Sequence, residues 1–418
     1  MAAVEITEET KQQADRIGSA DVVVGIAGAV APEELRVRAE SILRELGSGV
    51  SSLRFVFTWP GAAPAPASGT EERPENPALT MVPFSPPAQG AAEFWSGVSA
   101  NQRAVLSLAA SLNARACIVL GPDLAALEPH SIQLLTYAVL DRQCGLVMPV
   151  YPAAKYDGLL NSGILSPLSR ALYGRKVRYP LTFDFAASGA LCGSLARASA
   201  LAESSGNSLL WPVTVAATQF PQVLVGQVHI EVQHKVATEG LELSAVLGQL
   251  AGSLFQEMDL CASHWQRIRG SQATPVWGNA SEGPADSQAI DTQPMLDSFL
   301  LGSKNLDEVW RLILPPNALL ELRKLTRLGP DQFRIPDDLW ACIVYDFALA
   351  YRLRSMSRVH LLGALTPLYL GWVASWVREV SNLSSAAAEQ RLEQFARAWE
   401  EKKPYLLSRW RWPDRFNP

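Results

Sequence analysis

The sequence predicts an α/β fold of the Rossmann-like type, followed by an all-α C-terminal domain. In the first part of the chain, short β-branched runs alternate with amphipathic segments, which is typical of a parallel sheet with crossover helices. A Gly-, Pro- and Ser-rich stretch without periodicity follows, and no strand pattern occurs beyond it. We therefore expect four parts, namely an N-terminal tail 1–20, an α/β domain 21–269, a linker 270–287 and a helical domain 288–418.

The first strand–helix–strand unit begins at residue 21. Residues 21–27 (DVVVGIA) and 53–57 (LRFVF) are apolar runs of strand length. Between them, Pro32 followed by two glutamates opens an amphipathic pattern that reaches Leu46. Proline and acidic residues favour the first turn of a helix, so this pattern predicts a crossover helix between two parallel strands.

Four further elements follow a long loop. Residues 60–90 are rich in Pro, Ala, Gly and Ser and predict a loop without regular structure. Beyond it the pattern predicts a helix over 101–113, a strand over 116–120 (ACIVL), a helix over 127–140 and a buried strand over 144–151 (CGLVMPVY). These elements complete a Rossmann-like core.

The last part of the chain is predicted to be helical. Pro336 and two aspartates begin a helix that reaches about Arg354. An uncharged run between Arg358 and Arg378 has nearly the length that spans a bilayer. It contains a histidine and Pro367, and no second run accompanies it, so we favour a buried helix and expect no transmembrane segment.

The composition excludes several classes of protein. The chain has 418 residues, of which 48% are hydrophobic and 18% charged, and its net charge is −5. This charge argues against a nucleic-acid binder that neutralises phosphates. The five cysteines are far apart and form no CxxC, which argues against a disulfide scaffold or a structural zinc site. The acidic, polar N-terminus is unlike a secretory signal, so we expect a cytoplasmic protein.

Two aspartates are candidate site residues. Asp123 follows the strand 116–120, and ligands of open α/β sheets bind at the carboxyl ends of strands. The alternative for Asp123 is a turn that caps the next helix. Asp184 is a lone acid in the apolar stretch 179–196, where a buried carboxylate needs partners and is often functional. The alternative for Asp184 is a helix N-cap.

Three other clusters have ordinary structural explanations beside functional ones. His229, Glu231 and His234 lie close together in the sequence, but their spacing matches no strong zinc signature and fits a chance cluster at a strand end. The basic stretch 173–178 (YGRKVR) suits a carboxylate or phosphate, or else is solvated charge on a loop. The stretch 408–416 (SRWRWPDRF) suits a packed terminal anchor better than a nucleic-acid platform.

The residues around Asp184 resemble the acceptor-binding region of one enzyme family, the glucosyl-3-phosphoglycerate synthases with the related glucosylglycerate and mannosylglycerate synthases. The likeness is specific over 156–189, and the helical tail is similar to that of bacterial relatives. It is carried by Asp157-Gly158-Leu159-Leu160-Asn161-Ser162, Ser166-Pro167-Leu168, Arg170-Ala171-Leu172-Tyr173-Gly174, Arg178, Pro180 and Asp184-Phe185.

The resemblance implies a fold and a reaction. These enzymes are retaining glycosyltransferases of the GT-A fold, which transfer a hexose from a nucleotide-diphosphate sugar to a small hydroxy acid such as glycerate or phosphoglycerate. They use a divalent metal, Mg²⁺ or Mn²⁺. The resemblance therefore implies a nucleotide-sugar domain at 21–269, with the nucleotide sugar and the hydroxy acid as partners. The sequence leaves a homo-oligomer open.

Carried over residue by residue, the resemblance implies six site residues. The metal-binding pair falls on Asp123 and His234, and the catalytic acid falls on Asp184. Gly158, Asn161 and Arg178 fall on substrate-binding positions, with Arg178 facing a carboxylate or phosphate.

The donor-side motifs depart from the family pattern. The metal-binding DxD reads Gly121-Pro122-Asp123, so its first acid is absent. The family's polar turn, acid-containing loop and Gly-Lys-Gly element are replaced by the segments 27–30 (AGAV), 58–61 (TWPG) and 99–101 (SAN). These losses remove anionic metal ligands and hydrogen bonds to the nucleotide. Two hypotheses follow, an active hexosyltransferase and a catalytically inactive protein of the same fold that acts as a binding or regulatory subunit.

Overall fold

The computed structural model describes residues 6–46, 53–61, 78–85, 94–122, 127–204, 209–231, 242–280 and 290–413. The strands in these ranges are β1 Val22–Ile26, β2 Phe55–Pro60, β3 Leu79–Phe84, β4 Ala116–Leu120, β5 Leu146–Val150, β6 Phe185–Ser188, β7 Val225–His229 and β8 Val276–Trp277. The α-helices are α1 Glu8–Ile17, α2 Pro32–Glu45, α3 Phe94–Ser111, α4 Pro129–Leu140, α5 Ser166–Tyr173, α6 Gly189–Ser204, α7 Pro212–Gln219, α8 Leu243–Leu260, α9 Ala262–Trp265, α10 Gln293–Asn305, α11 Asp307–Ile313, α12 Pro316–Leu325, α13 Asp337–Leu353, α14 Arg358–Val380, α15 Ser385–Glu401 and α16 Lys403–Arg411. A π-helical turn, Asn161–Leu165, precedes α5.

The strands form one mixed, mostly parallel sheet, which confirms the predicted α/β class. Their order is β3-β2-β1-β4-β6-β5-β7-β8. Within the described strands, β6 runs antiparallel to both of its neighbours, β4 and β5, while the remaining pairs are parallel. The apolar runs predicted to be strands at 21–27, 116–120 and 144–151 contain β1, β4 and β5, while β2 begins within the predicted run 53–57 and extends to Pro60.

The central strands β1 and β4 consist of apolar residues and are buried on both faces. Every residue of β1 and β4 is buried, as expected for parallel strands covered on both faces. Gly25 lies in the middle of β1, where a Cβ atom would overlap with the side chain of Val105 on α3. The glycine therefore allows α3 to pack directly against the sheet.

Three strands lie where the sequence predicts none. β3 occupies part of the predicted loop 60–90, and its Pro83 is tolerated because β3 lies at the sheet edge. β8 lies in the predicted linker 270–287 and pairs with β7. β6 follows Asp184 directly, so the alternative that Asp184 is a helix N-cap is wrong. All three are too short or too irregular to show a strand period.

The chain forms two compact units. The unit that we call the sheet unit comprises Met1–Pro152, Tyr179–Gln233 and Ala273–Ser281. The other, the helical unit, comprises Ala153–Arg178, His234–Gln272 and Glu282–Pro418. This division differs from the predicted boundaries at 269 and 288, because two earlier segments pack with the C-terminal helices and no local pattern reveals such long-range packing.

Tryptophans form the centre of the helical unit. Trp372 of α14 stacks between Trp340 and Trp376, with ring centroids 5.9 Å away on either side. The Trp340 indole N–H donates to the carbonyl oxygen of Gly163 in the π-helical turn at 2.8 Å. The uncharged run between Arg358 and Arg378 is thus the largely buried helix α14. Within the described ranges, no helix combines the length and the apolar character that a membrane crossing requires.

Candidate functional site

The carboxyl ends of β1 and β4 mark the point where the strand order changes direction. In an open α/β sheet, the crevice outside such a point is the usual place for a ligand. The Ala27 N–H donates to the Leu120 carbonyl at 2.8 Å, and a Cβ atom on Gly28 would collide with Pro122. The small residues after β1 therefore allow the main chains of the two strand ends to touch.

Two polar residues in the N-terminal half of α3 bind main-chain atoms of the sheet unit. The Asn101 Nδ2 donates to the Ala27 carbonyl at 2.9 Å, which fixes the turn after β1. The Ser99 hydroxyl accepts a hydrogen bond from the Leu210 N–H at 3.3 Å. Ser99 and Asn101 thus stabilise the backbone of the sheet unit.

Asp184 lies at the same edge of the sheet because β6 is antiparallel. The residue that precedes β6 is level with the carboxyl ends of β4 and β5. Asp184 Oδ1 accepts a hydrogen bond from the Gly121 N–H at 2.7 Å, and Oδ2 accepts one from the Tyr151 hydroxyl at 2.6 Å. Since Asp184 is only 7% exposed, these bonds satisfy a buried carboxylate.

The two residues before Asp184 are also held in place. The Thr182 hydroxyl accepts a hydrogen bond from the Asp184 N–H at 2.9 Å and donates to the Asp184 carbonyl. The Gln102 Nε2 donates to the Phe183 carbonyl at 3.0 Å. A Cβ atom on Gly121 would lie 2.8 Å from the Phe183 Cβ, so glycine is required for this approach. Segment 182–184 is therefore rigidly attached to the sheet.

Tyr151 is a site residue that the sequence reasoning missed. It is buried directly after β5, and burial together with the Asp184 charge raises the pKa of Tyr151 well above its ordinary value. The phenol therefore stays protonated and donates to the carboxylate. A tyrosine at the carboxyl end of a buried strand was the only sequence signal for this role.

Gly158 and Asn161 lie in the helical unit. Gly158 has a φ of +59°, a left-handed conformation that favours glycine, and its carbonyl accepts a hydrogen bond from the Ser162 N–H at 2.9 Å. Asn161 begins the π-helical turn, and its Nδ2 donates to the Arg178 carbonyl at 2.9 Å. Its Oδ1 is buried and has no hydrogen-bond partner among the described residues.

Arg178 forms an ion pair with a residue on α15. Its Nε donates to Glu389 Oε1 at 2.7 Å and its Nη2 to Oε2 at 3.4 Å. Its Nη1 donates to the Ser162 hydroxyl at 3.1 Å. Glu389 was not among the predicted site residues, because only the fold brings α15 to the basic stretch 173–178. The structure thus groups Asn161, Ser162, Arg178 and Glu389 in the helical unit, whereas Asp184 belongs to the sheet unit.

The predicted metal ligands Asp123 and His234 both lie outside the described residues. His229, the last residue of β7, is half-buried, and burial lowers its pKa. Across the described ranges, no group of three or more His, Cys, Asp or Glu side chains could hold a metal ion. The described residues alone therefore do not fit a divalent ion, and both oxygens of Asp184 already accept hydrogen bonds.

Comparison with known proteins identifies no family for this chain. No family model matches it, and no curated protein matches it. Among solved structures, it is similar to one described as "Crystal Structure of a Mycobacterial Protein", with 14% identity and a TM-score of 0.34. That match covers 60% of this chain and 78% of the mycobacterial chain. Neither the fold nor the function follows from a likeness of this size.

Proposed function

We propose that the chain is a retaining glycosyltransferase of the GT-A type, which transfers a hexose from a nucleotide-diphosphate sugar to a small hydroxy acid of the glycerate or phosphoglycerate type. The observation that carries the proposal is the buried carboxylate of Asp184 at the ligand-binding edge of the sheet. The resemblance of residues 156–189 to these enzymes supports it as well.

The donor is proposed to bind outside the carboxyl ends of β1 and β4. The close approach of Gly28 to Pro122 places the ends of these two strands side by side at the switch point of the strand order, which is the usual place for a ligand. A divalent ion, Mg²⁺ or Mn²⁺, is proposed to bind Asp123 and His234. No other step depends on this ion.

Asp184 is proposed to act through its charge. Transfer of a glycosyl group passes through an oxocarbenium-like state that carries positive charge on the sugar. The hydrogen bonds from Gly121 and Tyr151 fix the position of the Asp184 carboxylate, so its negative charge can stabilise that positive charge without moving. This role needs no proton transfer to or from Asp184.

The acceptor is proposed to bind near Arg178. The guanidinium offers two parallel N–H donors, which suit a carboxylate or a phosphate. The buried Asn161 Oδ1 offers an acceptor for a hydroxyl group. A small hydroxy acid carries both a carboxylate for Arg178 and a hydroxyl group for Asn161.

Calorimetry with UDP- and GDP-hexoses, with and without Mg²⁺ or Mn²⁺, tests this function. The proposal expects heat with one nucleotide sugar and release of the nucleoside diphosphate when glycerate or phosphoglycerate is added. The absence of heat in every combination would contradict it.

The second candidate is an inactive protein of the same fold that acts as a binding or regulatory subunit. It is favoured by the Arg178–Glu389 pair, which covers the proposed acceptor site, and by the lost first acid at Gly121. Heat with a nucleotide sugar but no nucleoside diphosphate release with any acceptor would select this candidate.

A further inference from the structure

The ion pair of Arg178 differs from the neighbouring ion pair of Arg170. Arg170 of α5 is 6% exposed and binds two carboxylates of α15, Glu393 at 2.5 Å and Glu400 at 2.7 Å. The ion pairs of Arg170 therefore attach α5 to α15. The side chain of Arg178 is 18% exposed, but that of its partner Glu389 is 58% exposed. A largely buried guanidinium is thus covered by an exposed carboxylate.

Arg178 binds Glu389 in the same geometry in which an arginine binds an oxyanion ligand. Nε and Nη2 of Arg178 face the two oxygens of Glu389, which is the two-pronged arrangement by which arginine binds free carboxylates and phosphates. The third group, Nη1, donates to the Ser162 hydroxyl, and Ser162 is 4% exposed. The buried serine therefore holds the guanidinium in place whether or not Glu389 occupies the fork.

An unsatisfied acceptor lies beside the pair. The Asn161 Nδ2 is tied to the Arg178 carbonyl, while Asn161 Oδ1 is buried and without a hydrogen-bond partner among the described residues. Leaving a buried acceptor without a donor is costly, so this atom suits a hydroxyl that arrives with a ligand. Asn161 and Ser162 belong to a π-helical turn, a feature that is frequent at functional sites.

We propose that Glu389 is an internal competitor, which occupies the oxyanion site of Arg178 until a carboxylate or phosphate displaces it. The identification of the ligand as a small hydroxy acid rests on the proposed function, whereas the competition at Arg178 does not. Because the Glu389 side chain is 58% exposed, solvent screens its attraction to Arg178, and competition by Glu389 lowers the affinity for an oxyanion only modestly. We expect the apparent affinity for an oxyanion to be about fivefold weaker than that of the open site.

Calorimetric titration of the full chain with inorganic phosphate, and separately with glycerate, tests the proposal without any nucleotide sugar. Glu389→Gln should tighten binding about fivefold for at least one probe. Glu401→Gln is the matched control, because Glu401 is an exposed glutamate on the same helix and its replacement changes the net charge equally. It should leave the affinity at the wild-type value. The two probes distinguish a phosphate site from a carboxylate site.

Two further variants in the Glu389→Gln background locate the binding. Arg178→Gln should remove the gained affinity, and Arg178→Lys, which keeps the charge but lacks the fork, should retain part of it. Thermal unfolding of each variant verifies that it is folded.

The proposal is overturned if Glu389→Gln leaves the affinity unchanged or weaker, if Glu401→Gln tightens it equally, or if no variant binds either probe. The titrations contain no nucleotide sugar, so failure of the competition at Arg178 can be distinguished from failure of the glycosyltransferase proposal. In that case phosphate or glycerate binding tightens in Glu389→Gln, while nucleotide sugars give no heat.

Discussion

The Tyr151 hydroxyl donates a 2.6 Å hydrogen bond to Asp184 Oδ2, and the Gly121 N–H binds the other oxygen of the same carboxylate. Asp184 therefore connects the ends of β4 and β5 with the start of β6. A carboxylate held in this way has a fixed position, which is what electrostatic stabilisation of a reacting group requires. The same two bonds make Asp184 important for folding stability.

Removing the phenol hydroxyl tests this dual role. Tyr151→Phe should lower the free energy of unfolding by about 1.5–3 kcal/mol, because a buried carboxylate loses a hydrogen-bond donor. Urea unfolding measures the change. Tyr137→Phe is the control, since Tyr137 is 38% exposed on α4, and its replacement should change stability by less than about 0.5 kcal/mol. Equal effects of the two substitutions would contradict the assignment.

Replacing the carboxylate itself separates binding from turnover. Asp184→Asn removes the negative charge and sets an amide group against two donors, so we expect loss of hexose transfer with nucleotide-sugar binding retained. Calorimetry and nucleoside diphosphate release on the same preparation measure the two effects. Turnover at the wild-type rate in the folded variant would rule out a catalytic role for Asp184.

Gly121 is expected to be intolerant of a side chain. Gly121→Ala places a Cβ atom 2.8 Å from the Phe183 Cβ, and such overpacking costs about 1–3 kcal/mol. Gly97→Ala in α3 is the control, because no atom lies within 4 Å of an added Cβ there. That substitution should raise stability by up to about 1 kcal/mol through helix propensity. The two unfolding midpoints should therefore shift in opposite directions.

The helical unit contains a buried acid with an unusual pH response. Asp346 accepts hydrogen bonds from Tyr405 at 2.7 Å and from Arg409 at 3.0 Å, but burial raises the pKa of Asp346 to about 6. Between about pH 4 and this value, the folded state keeps a proton on Asp346 that the unfolded state loses. The contribution of Asp346 to stability is therefore fully present below about pH 4 and is lost as the pH rises through 6.

Asp346→Asn lacks this titration, so the wild type should lose stability relative to the variant as the pH rises from 4 to 6. The difference should reach about 3 kcal/mol, measured by urea unfolding at a series of pH values. A constant difference across this range would show that Asp346 does not titrate there.

Arg170 is expected to be structural. Arg170→Gln leaves Glu400, which is 18% exposed, without its partner at 2.7 Å, and breaking such a buried pair costs about 3–5 kcal/mol. Arg397→Gln is the control, because Arg397 is 61% exposed and lies 3.9 Å from Glu393. Unfolding measurements should show a large loss for Arg170→Gln and almost none for Arg397→Gln. Similar losses would indicate that burial of Arg170 is unimportant.

The sequence predicted the buried parallel strands well, because β1 and β4 are apolar on both faces and end in small residues or a Gly-Pro pair. It did not predict β6 and β8, which have four and two residues and leave no periodic signal. Asp184 was found because an acid is rare in an apolar stretch. Tyr151 and Glu389 were missed because their roles depend on partners 33 and 211 residues away in the chain.

The reversed direction of β6 has a consequence for the connection that precedes it. Neighbouring parallel strands need a crossover connection of about a dozen residues or more, because the chain must return to the opposite edge of the sheet. The connection from β5 to β6 instead leaves and re-enters at one edge of the sheet. The strand register therefore sets no length for this connection, and its length is set instead by the packing of residues 153–178 in the helical unit. In this chain, residues 153–178 supply the Gly163 carbonyl to Trp340 and the Arg170 guanidinium to Glu400, so the connection between two strands of the sheet is itself part of the helical unit.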